Sequence, residues 1–518
     1  MPKTGLVGGI ALLVAAVTGC GAVAASPDVG DPLPSEPTMI DYVDPSQVYG
    51  LNVRTVAAGD AADPHVYASY PSIDDPSGLN DAPGLNDRLQ RTVKEQLARF
   101  WRDASRDSEL PHREFNIDWQ FTAASDEVIG VRLRIGESVG TAWSESRTTL
   151  WYDRRDRRVL DSSGLLKDRA ALEELASLVR ERLTGLRPRV NPRAIKADPR
   201  FFDSLGFNPR GDLVVEFDDH QVGAASLGRV AVAVPASDVE HLLSAAGARA
   251  RRAAVGEAAG ATGTRNPELW KEFIAEAGVP KPPAASSQTG SVDCAKAKCV
   301  ALTYDDGPGP DTGRLLDILG RSHARATFFS LGTSASARPE LLKRMMREGH
   351  LVGNHTWSHR DLTALPDIKV TDQINRAQYA LTHTVGQVPG LIRPPYGAAD
   401  DRIASIAGEL GLAVVRWSTD TGDIRGTDPK AIADKAVAGA RPGAIILMHD
   451  VHAPTVDATP EILRRLREKG YTFVTVPELY GSRGMTSGRT YTSGDSENPG
   501  SSEDRGGGSV TLQRPPTP

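Results

Sequence analysis

The run CVALTYDDGP, residues 299–308, decides how the chain is read: an apolar, partly β-branched stretch stops abruptly at two carboxylates and a turn-forming Gly-Pro. Outward from it the same grammar repeats. ATFFSLG (326–332), LVGNH (351–355), LAVVRWS (412–418), GAIILMH (443–449) and YTFVTV (471–476) are further apolar runs. Between them lie segments of helical periodicity, TGRLLDILGR (312–321), PELLKRMMREG (339–349), DDRIASIAGELG (400–411) and TPEILRRLREKG (459–470). Strand and helix in alternation imply an α/β unit with a parallel sheet, open or closed into a barrel. The unusual polar residues fall just past the strand ends, and a parallel α/β fold gathers those loops on one rim.

This unit is a minority of the 518 residues. The balance of 60 Lys and Arg against 66 Asp and Glu gives a net charge of -6, which argues against a nucleic-acid partner. Beyond the N-terminus no apolar run reaches the length of a membrane span, so a multi-pass topology is excluded. Residues 1–19 read as an export signal: Lys3 is followed by an apolar stretch, and VTGC (17–20) closes it. That tetrapeptide resembles a bacterial lipobox, which implies that Cys20 becomes a lipid-bearing N-terminus and that the protein is extracytoplasmic, anchored to the bacterial cell membrane. An ordinary cleaved signal or an uncleaved anchor is the rival reading.

Residues 20–48, rich in Pro, Asp and Ser, read as a flexible tether. Residues 49–248 read as a separate α+β domain: NDRLQRTVKEQLARFWRD (86–103) has helical spacing, whereas FNIDWQFTAASDEVIGVRLRIG (115–136) and TAWSESRTTLWYD (141–153) alternate like antiparallel strands. Residues 249–297 read as a second linker, 298–482 as the α/β domain and 483–518 as a disordered, Gly/Ser-rich tail.

Five rim motifs carry candidate chemistry. Asp305 and Asp306 can diverge at a strand end, one to hold a cation and one to take a proton, although DDGP alone is an ordinary turn. His355 and His359, four apart, would face the same way on one helical turn and share a metal, although such a pair by itself is as often incidental. Arg393 opens RPPYG (393–397), otherwise a proline-stiffened turn, and Trp417 opens WSTDTGD (417–423), otherwise a solvated acidic loop. His449 ends a very apolar strand, where a lone histidine is more often a satisfied core residue.

Taken in this order on successive strand ends, the five resemble the motifs of the polysaccharide deacetylases of carbohydrate esterase family 4, the NodB homology domain, over about 185 residues. HDVHAPTV (449–456) with YTFVTV (471–476) is most similar to the peptidoglycan deacetylase branch. The resemblance implies a distorted (β/α) barrel and metal-dependent removal of N-acetyl groups from cell-wall glycan, on N-acetylglucosamine or N-acetylmuramic acid. It also implies one divalent metal on Asp306, His355 and His359, with zinc the first choice and cobalt or manganese the alternatives. Asp305 becomes the general base, Arg393 its ion-pair partner, His449 the general acid and Asp423 the residue that orients it. The backbone N–H of Tyr396 serves the oxyanion, and Leu447 and Trp417 line the acetyl pocket. One departure stands out: Ile424 follows Asp423 where the family commonly has Trp, a wall of that pocket.

In the order GVRLR (130–134), TLWYD (149–153), a helix and FNPRGDLVVEFDDHQVGAASLGRVAVAVP (207–235), the N-terminal domain is similar to an extracellular domain of unknown function found in a lysozyme-sensing anti-sigma factor and beside some wall deacetylases. It shows no catalytic constellation and reads as a module for a wall-glycan or protein ligand, or as a spacer. Other functions in view are an O-acetyl xylan-type esterase, a chitooligosaccharide deacetylase, and a non-catalytic wall sensor. With Cys20 assigned to lipid, Cys294 and Cys299 remain, and outside the cytoplasm they are expected to form a disulfide before the first barrel strand; a zinc knuckle lacks a second Cys or His pair nearby.

Overall fold

The computed structural model describes residues 23–25, 38–40, 43–56, 65–74, 82–104, 113–139, 142–184, 189–224, 229–260 and 292–494. The expected signal, the expected lipidation site Cys20 and residues 495–518 lie outside them. Among the described residues no helix is long and apolar enough to cross a membrane.

The N-terminal region contains two sheets. Strand β1 (Val23–Ala25) joins β8 (Ser204–Phe207), β9 (Leu213–Phe217) and β10 (Val230–Val234) in the order β1-β10-β9-β8. The second sheet runs β2 (Leu51–Val56), β3 (Val66–Ile73), β4 (Arg113–Ala124), β5 (Val128–Val139), β6 (Ala142–Asp153) and β7 (Arg158–Asp161) in sequence order. Its pairs are antiparallel except β3–β4. The exception has a simple cause, for the helix α1 (Pro83–Ala104) intervenes and returns the chain to the starting edge, as a parallel pair requires.

Period-two alternation on β4 gives this sheet two unlike faces. Phe115, Ile117, Trp119 and Phe121 pack with Leu85, Leu89, Val93 and Phe100 of α1. Glu114, Asn116, Asp118 and Gln120 point the other way, where an antiparallel sheet ordinarily meets water. Here they are buried. Asp118 accepts two hydrogen bonds from Arg134, at 2.8 and 2.6 Å; the C-terminal domain covers the Glu114 and Asn116 end of this face, whereas Gln120 accepts from Arg132, which also donates to Glu216 of β9.

That domain holds nine strands, β11 (Lys298–Asp305), β12 (Thr327–Ser330), β13 (Leu351–Asn354), β14 (Leu391–Ile392), β15 (Ala413–Val415), β16 (Thr419–Asp420), β17 (Ala444–His449), β18 (Tyr471–Val474) and β19 (Thr490–Tyr491). All their pairings are parallel, in the order β16-β17-β11-β12-β13-β14-β15-β19, with β18 beside β11. The ends approach only through an isolated Ala444–Ser493 bridge and the Gly494 N–H on the Gly443 carbonyl at 2.8 Å, so the barrel is distorted, as expected. Leu302, Tyr304, Phe328, Ile446 and Met448 build its core against Leu315, Leu319, Ile462 and Leu466 of the surrounding helices.

Three expected boundaries are corrected. Part of the 20–48 tether is structured: β1 pairs with β10, Ile40 enters an apolar cluster, and Arg229 donates to the Thr38 carbonyl at 2.8 Å. The N-terminal region continues past 248 as the helix Ala245–Gly260, whose Ala250 and Ala253 lie in its core. The tail expected from 483 is packed as far as 494, because β19 satisfies the open edge of β15. Composition missed these segments because small residues and glycines supply backbone pairing without apolar periodicity.

Candidate active site

Parallel pairing puts the rim motifs together. On β11 and β17, Asp305 and His449 are register partners, and Asp305 is likewise opposite Phe329 of β12. Asp305 is buried and accepts from Arg393 Nη1 at 2.8 Å. Arg393 is fully buried and also donates to Thr303 Oγ1 at 2.8 Å and to the Arg416 carbonyl at 3.0 Å, with its guanidinium 4.3 Å from the Phe329 ring centre. An arginine fixed at so many points holds the Asp305 side chain in a single orientation.

Asp306, His355 and His359 place one ligand atom each within 4.8 Å of one another. Both histidines bring Nε2 to 3.4 Å from Asp306 Oδ1. His355 Nδ1 lies 2.6 Å from the Arg393 carbonyl, an acceptor, so that nitrogen carries the proton and Nε2 presents its lone pair to the triad. Asp306 Oδ1 is buried without a hydrogen-bond partner. Burial opposes its ionisation, yet the surrounding histidines His359, His355 and His449 hold its carboxyl well below the usual range. His359 is driven down to about 3, chiefly by burial. One carboxylate and two imidazoles converging on one point form a donor set that fits a divalent cation.

The histidines converge differently from the expected helical turn. Residues 355–359 form a loop in which Thr356 and His359 have φ of 72° and 61°, and Asp306 has 74°. These left-handed conformations are costly for residues with a Cβ, and they persist where the surroundings over-determine them. Asn354 contributes by accepting the Thr356 N–H at 2.7 Å while donating to Gln378 Oε1 at 2.9 Å.

On the opposite side His449 Nδ1 lies 2.9 Å from Asp423 Oδ1, and the His449 N–H donates to Asp423 Oδ2 at 2.7 Å. Thr455 Oγ1 donates to the same oxygen at 2.7 Å. Burial works against the imidazolium, but Asp423, with Asp306 and Asp305 beyond, raises His449 to about 10. Tyr396 has φ 60° and takes the second position of a single 3-10 turn, where the helical ladder uses no N–H. Leu447 is buried two residues before His449, and the half-buried Trp417 lies against Gly397, where an added Cβ would come within 2.7 Å of the indole. Ile424, which follows the fully buried Asp423, is 52% exposed.

Asp450 escaped the sequence reading. It is fully buried, accepts from Thr312 Oγ1 at 2.5 Å, and is raised to about 7 by burial together with Asp306 and Asp305. A Cβ at Gly307 would meet its carboxylate at 2.0 Å, so the glycine of DDGP answers a close approach as well as a turn. The expected disulfide is present, joining Cys294 to Cys299 with a Cα separation of 5.5 Å.

Comparison with known proteins agrees with this geometry. The polysaccharide deacetylase family matches residues 293–415. The peptidoglycan-N-acetylglucosamine deacetylase PgdA of Listeria monocytogenes is 43% identical over 187 residues, 36% of this chain and 40% of that relative. A peptidoglycan-N-acetylglucosamine deacetylase of Bacillus cereus is 37% identical over 186 residues, 35% of this chain and 68% of the relative. The peptidoglycan-N-acetylmuramic acid deacetylase PdaC of Bacillus subtilis is 28% identical over 405 residues, 76% of this chain and 82% of the relative. The chain belongs to the polysaccharide deacetylase family.

Proposed function

We propose that the protein is a metal-dependent hydrolase that removes N-acetyl groups from cell-wall glycan. The observation that carries this reading is one rim on which an Asp-His-His triad stands between a carboxylate fixed by arginine and a histidine fixed by aspartate. The relatives' names, which specify peptidoglycan amino sugars, support the substrate class. Zinc is the first candidate for the triad, because two imidazoles and one carboxylate with positions left open suit a hydrolytic Lewis acid. When bound, the cation supplies Lewis acidity to the amide carbonyl and eases deprotonation of the attacking water.

The protein's own groups do the rest. Asp305 accepts the proton of the attacking water as its oxygen bonds to the acetyl carbon, and Arg393 holds that side chain in place. The Tyr396 N–H donates to the oxygen on which negative charge develops. As the carbon–nitrogen bond breaks, His449 gives its proton to the departing amine, and Asp423 stabilises the imidazolium that precedes this transfer. Leu447 and Trp417 line the place of the acetyl methyl. Acetate and a free amino sugar are the products.

The export signal and VTGC (17–20) support an extracytoplasmic protein carried on the membrane by lipid at Cys20. Mass spectrometry of peptidoglycan fragments treated with the chain from residue 21 tests the activity, with chitooligosaccharide and acetylated xylan as parallel substrates. Loss of acetyl groups from glucosamine or muramic acid is expected. Release from xylan alone would replace the reading with an O-acetyl esterase, and no release from any of the three would leave a wall-binding protein.

A further inference from the structure

Four rings form a continuous row across the boundary between the N-terminal sheet and the deacetylase rim. Tyr67 stacks on His359 with centroids 4.8 Å apart and planes at 28°. His359 meets Tyr396 edge-on at 4.6 Å, and Tyr396 in turn stacks on His65 at 4.4 Å. The two outer rings come from β3 and the residue before it, and the two inner ones from the rim. Register explains the reach: Tyr67 is opposite Asn116, on the polar face that β4 turns toward the deacetylase domain.

The same face grips the loop that carries His359. Asn116 Nδ2 donates to the Ser358 carbonyl at 2.9 Å. Glu114 Oε1 accepts from Arg360 Nε at 3.1 Å and from the Asp361 N–H at 3.2 Å, while His65 Nδ1 lies 3.3 Å from Asp361 Oδ2. Farther along, Arg338 Nη2 donates to Asn52 Oδ1 at 2.9 Å. The residues on both sides of His359 are therefore held by strands about 240 positions earlier.

The two histidines of the triad are oriented by different means. A backbone carbonyl fixes Nδ1 of His355, whereas Nδ1 of His359 is buried with no hydrogen-bond partner. A ligating histidine usually has its second nitrogen bonded, because that bond sets the ring's orientation. For His359 the ring contacts on either side, Tyr67 face-on and Tyr396 edge-on, take that place, and its left-handed backbone needs external support.

We infer that the N-terminal sheet supplies two positioning residues to the deacetylase site, Tyr67 holding the ring of His359 and His65 holding Tyr396, so that the site is complete only with this sheet docked. The inference rests on the deacetylase reading above. It assigns to the N-terminal region a part in the site itself, beyond any role as a wall-binding module or spacer.

Cobalt titration of the chain from residue 21, which keeps every described residue of the two sheets and the barrel apart from the signal region, reads the effect directly. Tyr67→Ala, and Tyr67→Leu, which keeps apolar volume but no flat ring, are expected to weaken Co²⁺ binding about tenfold or more and to alter its visible absorption. Tyr67→Phe is expected to restore both. His65→Ala should keep the parent's cobalt affinity and lower kcat with little change in KM. Parent affinity and spectrum in both Tyr67→Ala and Tyr67→Leu would overturn the inference while leaving the deacetylase reading intact. A parent chain that binds no cobalt would overturn both.

Discussion

Asp305 and His449 stand directly opposite one another at the C-terminal ends of adjacent parallel strands, β11 and β17. The proposed base and the proposed acid are thereby set side by side by the sheet's own register. Their partners approach from outside the pair: Arg393 reaches Asp305 from the loop after β14, and Asp423 reaches His449 from the loop after β16. Asp423 biases His449 toward its charged form, while Arg393 fixes the orientation of the Asp305 side chain.

Because the two groups act at different steps, removing either is expected to lower kcat without a comparable change in KM. Asp305→Asn keeps the shape of the side chain but cannot accept the proton, and His449→Ala leaves the amine without its acid. Each should reduce kcat by about 10²- to 10⁴-fold in an acetate-release assay. Turnover near the parent value in Asp305→Asn would dismiss the proposed base.

The His449–Asp423 pair predicts a pH dependence. Its folded-state pKa is raised from 6.5 to about 10, so the pair's contribution to stability is complete below about pH 6.5 and is lost as pH rises through about 10. Asp423→Asn should return the His449 titration toward an ordinary histidine in metal-free protein followed by NMR. In the loaded enzyme the alkaline limb of kcat should shift to lower pH in the same variant. A limb that stays in place would assign it to another group.

Removal of metal by a chelator should abolish acetate release, and readdition of a divalent ion should restore it. Since Asp306 Oδ1 is buried without a hydrogen-bond partner, Asp306→Asn should also impair metal binding, measured as zinc content after dialysis. The protein should remain folded by circular dichroism, because the triad sits at the rim and not among the apolar residues of the barrel core. Full zinc content in Asp306→Asn would exclude it as a ligand.

The disulfide closes a short loop immediately before β11, the strand whose end bears Asp305 and Asp306. In the chain-entropy account such a loop contributes about 2 to 3 kcal/mol. Cys294→Ser/Cys299→Ser should lower the denaturation midpoint accordingly, and the unreduced, unfolded parent lacking Cys20 should titrate no free thiol. Two thiols in that titration would refute the bond, and an unchanged midpoint and activity in the double variant would refute its role.

What the sequence by itself determined is the barrel and most of its rim. Strand-length apolar runs alternating with helical segments specify a parallel α/β sheet, and such a sheet brings its strand ends to one side, so Asp305, Asp306, His355, Arg393 and His449 could be assembled before any coordinates. The alternation in residues 115–136 likewise specified antiparallel strands with one apolar face. What only the tertiary structure decided is where the other face of that sheet goes. Glu114 and Asn116 look like solvent-facing residues in a strand pattern, because period two separates the faces but cannot say what covers a polar one. Nor does spacing reveal that residues 355–359 reach their site through left-handed loop conformations, or that Tyr67 lies against His359. Contacts between segments some 290 residues apart depend on how two independently specified sheets pack, and local pattern carries no information about that packing.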